Sequence, residues 1–280
     1  EIRWVGLSPR IYIKNIFMSD DNQRILLDIP SSEIHLSLIN SLKNNSLSLS
    51  KIIINDTKLN LKYNRNKLLF NQKDLIVTSN SETKISFPKV MLNNSLILLT
   101  NIENNKSISF KTNSLFASYE GSHIRINSNF IHESSPDPMT LIYEGKNLGS
   151  SLNSKIFISG NSVKIPYLML PEPMRRLQSK KMSFRIWMDM IDGDVTRVSG
   201  NISTNQLTVN LGNSEIYLKN VNSDLIYLKE NQSETLGLLR MNYLINDKSV
   251  NDNKVVINKD ENKNLKLFVK KNDKKLFKIL

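Results

Sequence analysis

Apolar and polar residues alternate along most of this 280-residue chain. In KIIINDTKLNLKY, residues 51–63, Ile52 and Ile54 and then Leu59, Leu61 and Tyr63 alternate with polar partners. That is the period-2 signature of half-buried strands, and Asn55-Asp56 between the two runs carries turn chemistry. Upstream, the pattern predicts a strand after Pro9, a turn at SDDNQ and strands on either side of Pro30, where Ile34, Leu36 and Leu38 alternate against Glu33, His35 and Ser37. INSLKNNS is a short connection of about one helical turn. Residues 64–165 read as a succession of short strands, LLF, DLIVTS, KISFPKV, SLILLTNI, SISFKT, SLFASYEG, HIRINSNFIH, MTLIYEG and SKIFISG, at the turn spacing of an all-β meander or sandwich.

Residues 166–181, PYLMLPEPMRRLQSKK, interrupt this pattern with three prolines and a short helical run from Pro173 through Leu177, which has basic residues in its last turn. Strand character then returns. Phe184, Ile186, Met188 and Met190 point one way and Arg185, Trp187 and Asp189 the other, before Asp192-Gly193, the strongest hairpin turn in the sequence. The expected fold is all-β, mainly antiparallel, with one or two short helices. Residues 1–280 are read as one continuous β region, with 1–63 as an N-proximal unit and a sub-boundary at 162–181. The chain opens on Glu1 rather than Met and is read as a fragment of a longer protein.

Composition narrows the partners. Hydrophobic residues make up 39% of the chain and aromatics 7%, so the apolar content is mainly Ile, Leu and Val, with few large rings to fill a core. Gly and Pro are scarce, and Asn, about one residue in eight, takes over turn punctuation because it tolerates the left-handed conformation. A net charge of +12 would ordinarily suggest nucleic acid or an anionic surface. Lys outnumbers Arg by about three to one, however, and neither Arg forks nor aromatics interleaved with basic residues occur, so nucleic acid is not expected as a partner. The absence of Cys removes disulfides and thiol chemistry, and no apolar run is long enough to span a bilayer.

No catalytic or metal constellation stands out. His35, His123 and His132 are the only histidines, and the last two are spaced for no ligand motif. Asp189, Asp192 and Asp194 surround a glycine without the order of a calcium loop, and there is neither a G-x-S-x-G elbow nor a phosphate-cradling glycine loop. The chain is read as a non-enzyme without cofactors.

Two segments carry a family likeness. Residues 4–63 hold, in order, a G-x-x-P strand (GLSP), an acidic turn (SDDNQ), a second alternating strand, a short "SL" connection and a final strand ending L-x-L (LNLKY). This order resembles the N-proximal unit of bacterial AsmA-like proteins. Residues 162–203, where a Pro-rich short helix precedes a strand containing Trp187 and a G-x-V turn, resemble the YhdP branch of that family.

The resemblance implies a protein anchored in the inner membrane by a segment outside this chain and extending through the periplasm. Its long curved β-sheet would form an open hydrophobic groove, conduct phospholipid toward the outer membrane and carry no catalytic residues. The physics agrees: exposing an acyl chain of some fifteen methylenes at ~0.8 kcal/mol each costs on the order of 12 kcal/mol, so a conduit must be continuously apolar. Ile34, Leu36, Leu38, Ile52, Ile54, Leu59, Leu61, Phe184, Ile186 and Met188 are the expected lining. The rival is a structural or adhesin-like β-protein whose apolar faces pack only on each other in a closed core.

Overall fold

The computed structural model describes residues 1–6, 8–19, 25–64, 67–70, 73–74, 88–102, 105, 107–132, 135–148, 151–163, 177–179, 181–210, 215–230, 233–245, 248–260 and 265–270. Almost all of these are strand, and one helix, α1 (Leu38–Asn44), is present among them. The chain divides into two compact units. Unit 1 comprises Glu1–Glu133 and Thr140–Ser154; unit 2 comprises Ser134–Met139 and Lys155–Leu280.

Unit 1 opens with the hairpin of β1 (Ile2–Val5) and β2 (Ser8–Ser19), followed by β3 (Ile25–Leu36), α1, β4 (Leu49–Asn55) and β5 (Lys58–Asn64). After the short β6 (Lys67–Phe70) and β7 (Lys73–Asp74) come the long β8 (Lys89–Asn101), β9 (Ser107–Glu120) and β10 (His123–His132). Neighbours pair antiparallel, except that β8 runs parallel to both β4 and β5. The sheet is therefore mixed but mainly antiparallel.

β4 and β5 do not form the hairpin that Asn55-Asp56 predicts. Both pair with β3 in a single register, Ser31 opposite Asn55 and Asp28 opposite Lys58, and both keep one offset against β8, so residues 49–64 form one strand with a kink at Asp56. Asp56 is left-handed at φ 55°, and the groups freed by the kink are re-bonded. Asp56 N–H donates to Asn93 C=O at 3.0 Å, Leu96 N–H to Thr57 C=O at 2.8 Å, and Asn94 Nδ2 to Asp56 Oδ1 at 2.6 Å. The same device runs across the unit: Asn15 of β2 (φ 56°) lies opposite Pro30 of β3, Pro30 opposite Asp56, and Asp56 beside Asn94 of β8 (φ 47°). Asn113 of β9 supplies the extra residue against β10. Asn15, Pro30, Asp56 and Asn94 pair without a register shift, so their line is an aligned kink, and Asn113 alone of these is a bulge; across the line the inward-facing parity shifts by one residue.

β11 (Ser135–Leu148) and β12 (Ser151–Val163) each contribute residues to both units. Unit 2 continues with β13 (Leu177–Gln178), β14 (Met182–Ile191), β15 (Asp194–Asn210), β16 (Glu215–Glu230), β17 (Ser233–Ile245), β18 (Lys248–Lys259) and β19 (Leu265–Lys270). From β14 onward this is an antiparallel meander. Asp192 (φ 52°) and Gly193 (φ 86°) make the predicted two-residue turn between Ile191 and Asp194. Bulges recur at Asn220, Arg240 and Asp252, all left-handed inside β16, β17 and β18. The helix expected from Pro173 lies outside the described residues as far as position 176, and Leu177 belongs to β13.

Candidate functional site

Pairing register sorts the strand residues of unit 1 into two faces. On one, Ile2, Ile11, Ile34, Ile52, Val90, Ala117 and Ile126 are consecutive partners across seven strands. The next row is Ile13, Ser32, Ile54, Leu92, Leu115 and Ser128. Beyond the kink line the same face continues through Leu59, Ile97 and Phe110 and through Leu61, Leu99 and Ile108. Two hydroxyls on this face, of Ser95 and Thr112, are turned inward and hydrogen-bonded. Ser95 and Thr112 are partners and fully buried, Ser95 Oγ donates to Asn93 C=O at 2.9 Å, and Thr112 Oγ1 lies 3.1 Å from Ser128 Oγ.

No member of the first row is buried: Ile2 is exposed and the other six are half-buried. A row of aliphatics across seven strands, none of them fully buried, leaves apolar surface within reach of solvent, of the kind that marks an interaction site. The expected lining residues Ile34, Leu36, Ile52, Ile54 and Leu59 are half-buried on this face, and Leu61 is buried near its far end. Leu38 departs from the strand alternation expected of it. Ser37 is extended and its hydroxyl accepts from Asn40 N–H at 3.4 Å, so a helix starts at Leu38 and the period changes there.

The remaining three lining residues lie in unit 2. Phe184 and Ile186 are 4% and 3% exposed, and Met188 is half-buried. An added Cβ on Gly160 would come within 3.1 Å of Phe184 and Met139 and 2.7 Å of Val163, which shows how closely protein closes over this ring.

The opposite face of unit 1 is mixed: one row runs Tyr12, Glu33, Ile53, Met91, Phe116 and Asn127, and the row beside it is basic. Arg3, Arg10, His35, Lys51 and Lys89 are consecutive partners in one transverse row, which continues through Ser118 to Arg125. Glu33 Oε1 lies 2.8 Å from both Arg10 Nη1 and His35 Nε2. Partial burial alone would raise the Glu33 carboxyl, but the Arg10 hydrogen bond and the nearby His35 and Arg10 charges outweigh it, and the net shift is downward. Arg3 pairs with Glu1 and Arg125 with Glu144, both at 2.6 Å. Sequence reasoning placed none of these bases together, because only pairing register shows that they share a row.

Among the described residues no three His, Cys, Asp or Glu side chains gather as a metal site. His123 is exposed at the start of β10, and the His132 ring stands 5.6 Å from that of Phe110. The described residues contain no helix long and apolar enough to cross a membrane.

A family model described as YhdP protein matches residues 1–270. The chain belongs to the YhdP family. The match covers both the AsmA-like segment, 4–63, and the segment that resembles the YhdP branch, 162–203, together with the strands between them. Neither curated proteins nor solved structures yield a match. The YhdP-family assignment therefore attaches to a chain whose described residues are almost wholly β and whose first unit presents an aliphatic row with no fully buried member.

Proposed function

We propose that this YhdP-family chain binds phospholipid acyl chains on the aliphatic face of unit 1 and conducts them, without catalysis, as part of inner-to-outer-membrane lipid transport in a Gram-negative envelope. The chain would act in the periplasm, tied to the inner membrane by a segment outside it. The observation that carries this reading is the seven-strand row from Ile2 to Ile126, in which no side chain is buried. Aliphatic side chains without polar anchors suit acyl tails, which offer no group for a hydrogen bond to select. In unit 2, Phe184 and Ile186 are covered by protein, so acyl contact there requires that unit to open. That burial supports the closed-core reading for unit 2 and leaves unit 1 as the lipid-binding part.

A photo-crosslinking side chain at Ile52 and another at the exposed Lys58, on the opposite face, test the reading in protein expressed in a Gram-negative host. Phospholipid should crosslink at position 52 and not at 58, and native mass spectrometry should show it co-purifying. Ile54→Asp should abolish that occupancy while circular dichroism shows unchanged β content. A folded Ile54→Asp protein that keeps its lipid would sink the assignment.

A further inference from the structure

The basic row of unit 1 is unusual in one respect: Lys51 and Lys89 are directly opposite each other on parallel strands, and among the described residues neither has a carboxylate partner. Like charges facing across a ladder are destabilising. Elsewhere in the row that repulsion is relieved, at Arg3 by Glu1, at Arg10 and His35 by Glu33, and at Arg125 by Glu144. The Lys51–Lys89 pair is left for an external anion.

Pairing register also places this row at one end of the unit. Val5 pairs with Ser8 two residues beyond the Arg3–Arg10 pair, so the β1–β2 turn lies at that end. α1 lies there as well, because it joins β3 just after His35 to β4 just before Lys51. Apolar side chains crowd the same end and face water: Trp4 is 65% exposed, Ile39 80%, Leu42 83% and Leu47 72%. Ile39 and Leu42, three apart on α1, share its outer face, with Lys43 beside them. Glu120 closes the β9–β10 turn one strand beyond Lys89, and against it stand Lys43, Lys51 and Lys89.

We propose that this end of unit 1, formed by the β1–β2 turn, α1 and the first residues of β4 and β8, docks on an anionic phospholipid bilayer surface. Trp4, Ile39, Leu42 and Leu47 enter the headgroup boundary, where an indole sits well because its ring is apolar and its N–H polar. Lys43, Lys51 and Lys89 meet the lipid phosphates, their flexible stems lying along the apolar part. Apolar insertion and several lysines act as two signals, the combination that gives stable peripheral binding where one alone is marginal.

The 280-residue chain with Trp187→Phe, which leaves Trp4 as the sole tryptophan, is mixed with vesicles of phosphatidylcholine alone or of phosphatidylcholine and phosphatidylglycerol at 3:1. Some of these vesicles carry brominated acyl chains. Trp4 fluorescence should shift to the blue and be quenched on the anionic vesicles only, whereas in the Trp4→Phe chain Trp187 should be quenched on neither. Each Lys contributes about fivefold to vesicle affinity, so Lys51→Gln/Lys89→Gln should bind roughly 25-fold more weakly and lose most of its salt dependence. Ile39→Ser/Leu42→Ser, on a solvent face, should stay folded and lose the quenching. Ile54→Asp should dock normally even though it cannot hold acyl chains, which separates this proposal from the proposed function. Three results would overturn it: unquenched Trp4, wild-type affinity in the double Lys variant, or a dimer in solution that Ile39→Ser/Leu42→Ser dissolves.

Discussion

The Ile11–Ile34–Ile52–Val90–Ala117–Ile126 row of unit 1 and the Ile186–Gly200–Leu225–Leu238–Val255 row of unit 2 come from the same alternation of apolar and polar residues. Their burial differs. In unit 1 every one of these residues is half-exposed; in unit 2 Leu225 is fully buried and Ile186 and Leu238 nearly so. Part of the difference lies in side-chain size. Unit 2 adds Phe184, Tyr227, Met241 and Tyr243 to its inner face, whereas the first two rows of unit 1 are aliphatic or Ser throughout. Strands also approach closely in unit 2: a Cβ on Gly200 would stand 2.1 Å from the Arg185 carbonyl oxygen. An amphipathic strand pattern thus specifies which face is apolar, and the bulk on that face and its neighbours decides whether protein covers it.

The contrast is tested most strongly by truncation. Leu225→Ala removes a fully buried side chain and should cost roughly 2–5 kcal/mol, whereas Ile52→Ala, on a face already half in water, should cost about 1 kcal/mol. Urea titrations of the two variants measure both. Equal costs would mean that the unit 1 face closes in solution, and the comparison would fail.

A smaller effect separates the kinks from the faces they carry. Asn94 holds φ 47° and donates to Asp56. Asn94→Ala keeps the strand but adds the left-handed penalty of about 1–2 kcal/mol, while Asn94→Gly should stay near wild type. If both substitutions are silent in thermal melts, the kink is held by its neighbours rather than by this residue.

The smallest effect concerns the mixed face of unit 1. The Glu33 carboxyl is lowered in the folded state, so its contribution to stability is present above its unfolded value of about 4.3 and is lost as pH falls through the folded value. Glu33→Gln should therefore melt below wild type at pH 7, and the gap should close on acidification below about pH 4. A gap that persists at pH 3 would assign the loss to packing rather than charge.

Several elements were legible directly. The Asp192-Gly193 hairpin, β10 at HIRINSNFIH and β16 at SEIYLKNVNSDLIYLKE stand where alternation and turn residues place them. SISFKT and SLFASYEG, by contrast, read as two strands and form one, β9, because the extra residue at Asn113 reverses which parity is apolar. The same reversal at Asp56 makes one kinked strand resemble a hairpin. Asn was read as turn punctuation; at Asn15, Asn94 and Asn220 it instead takes the left-handed conformation inside strands. A parity slip in the middle of a strand and a turn between strands leave the same mark on a sequence.

The sequence by itself determined that the chain is β, that its strands alternate apolar with polar residues, and that it resembles the YhdP branch, because period-2 alternation and residue order are local properties. Only the tertiary structure decided which residues stand side by side: the aliphatic row from Ile2 to Ile126, the basic row from Arg3 to Lys89, and the burial of Phe184 and Ile186 against the half-exposure of Ile52 and Ile54. Rows depend on pairing between strands distant in the chain, and burial on what lies above them. Neither is encoded in any single strand.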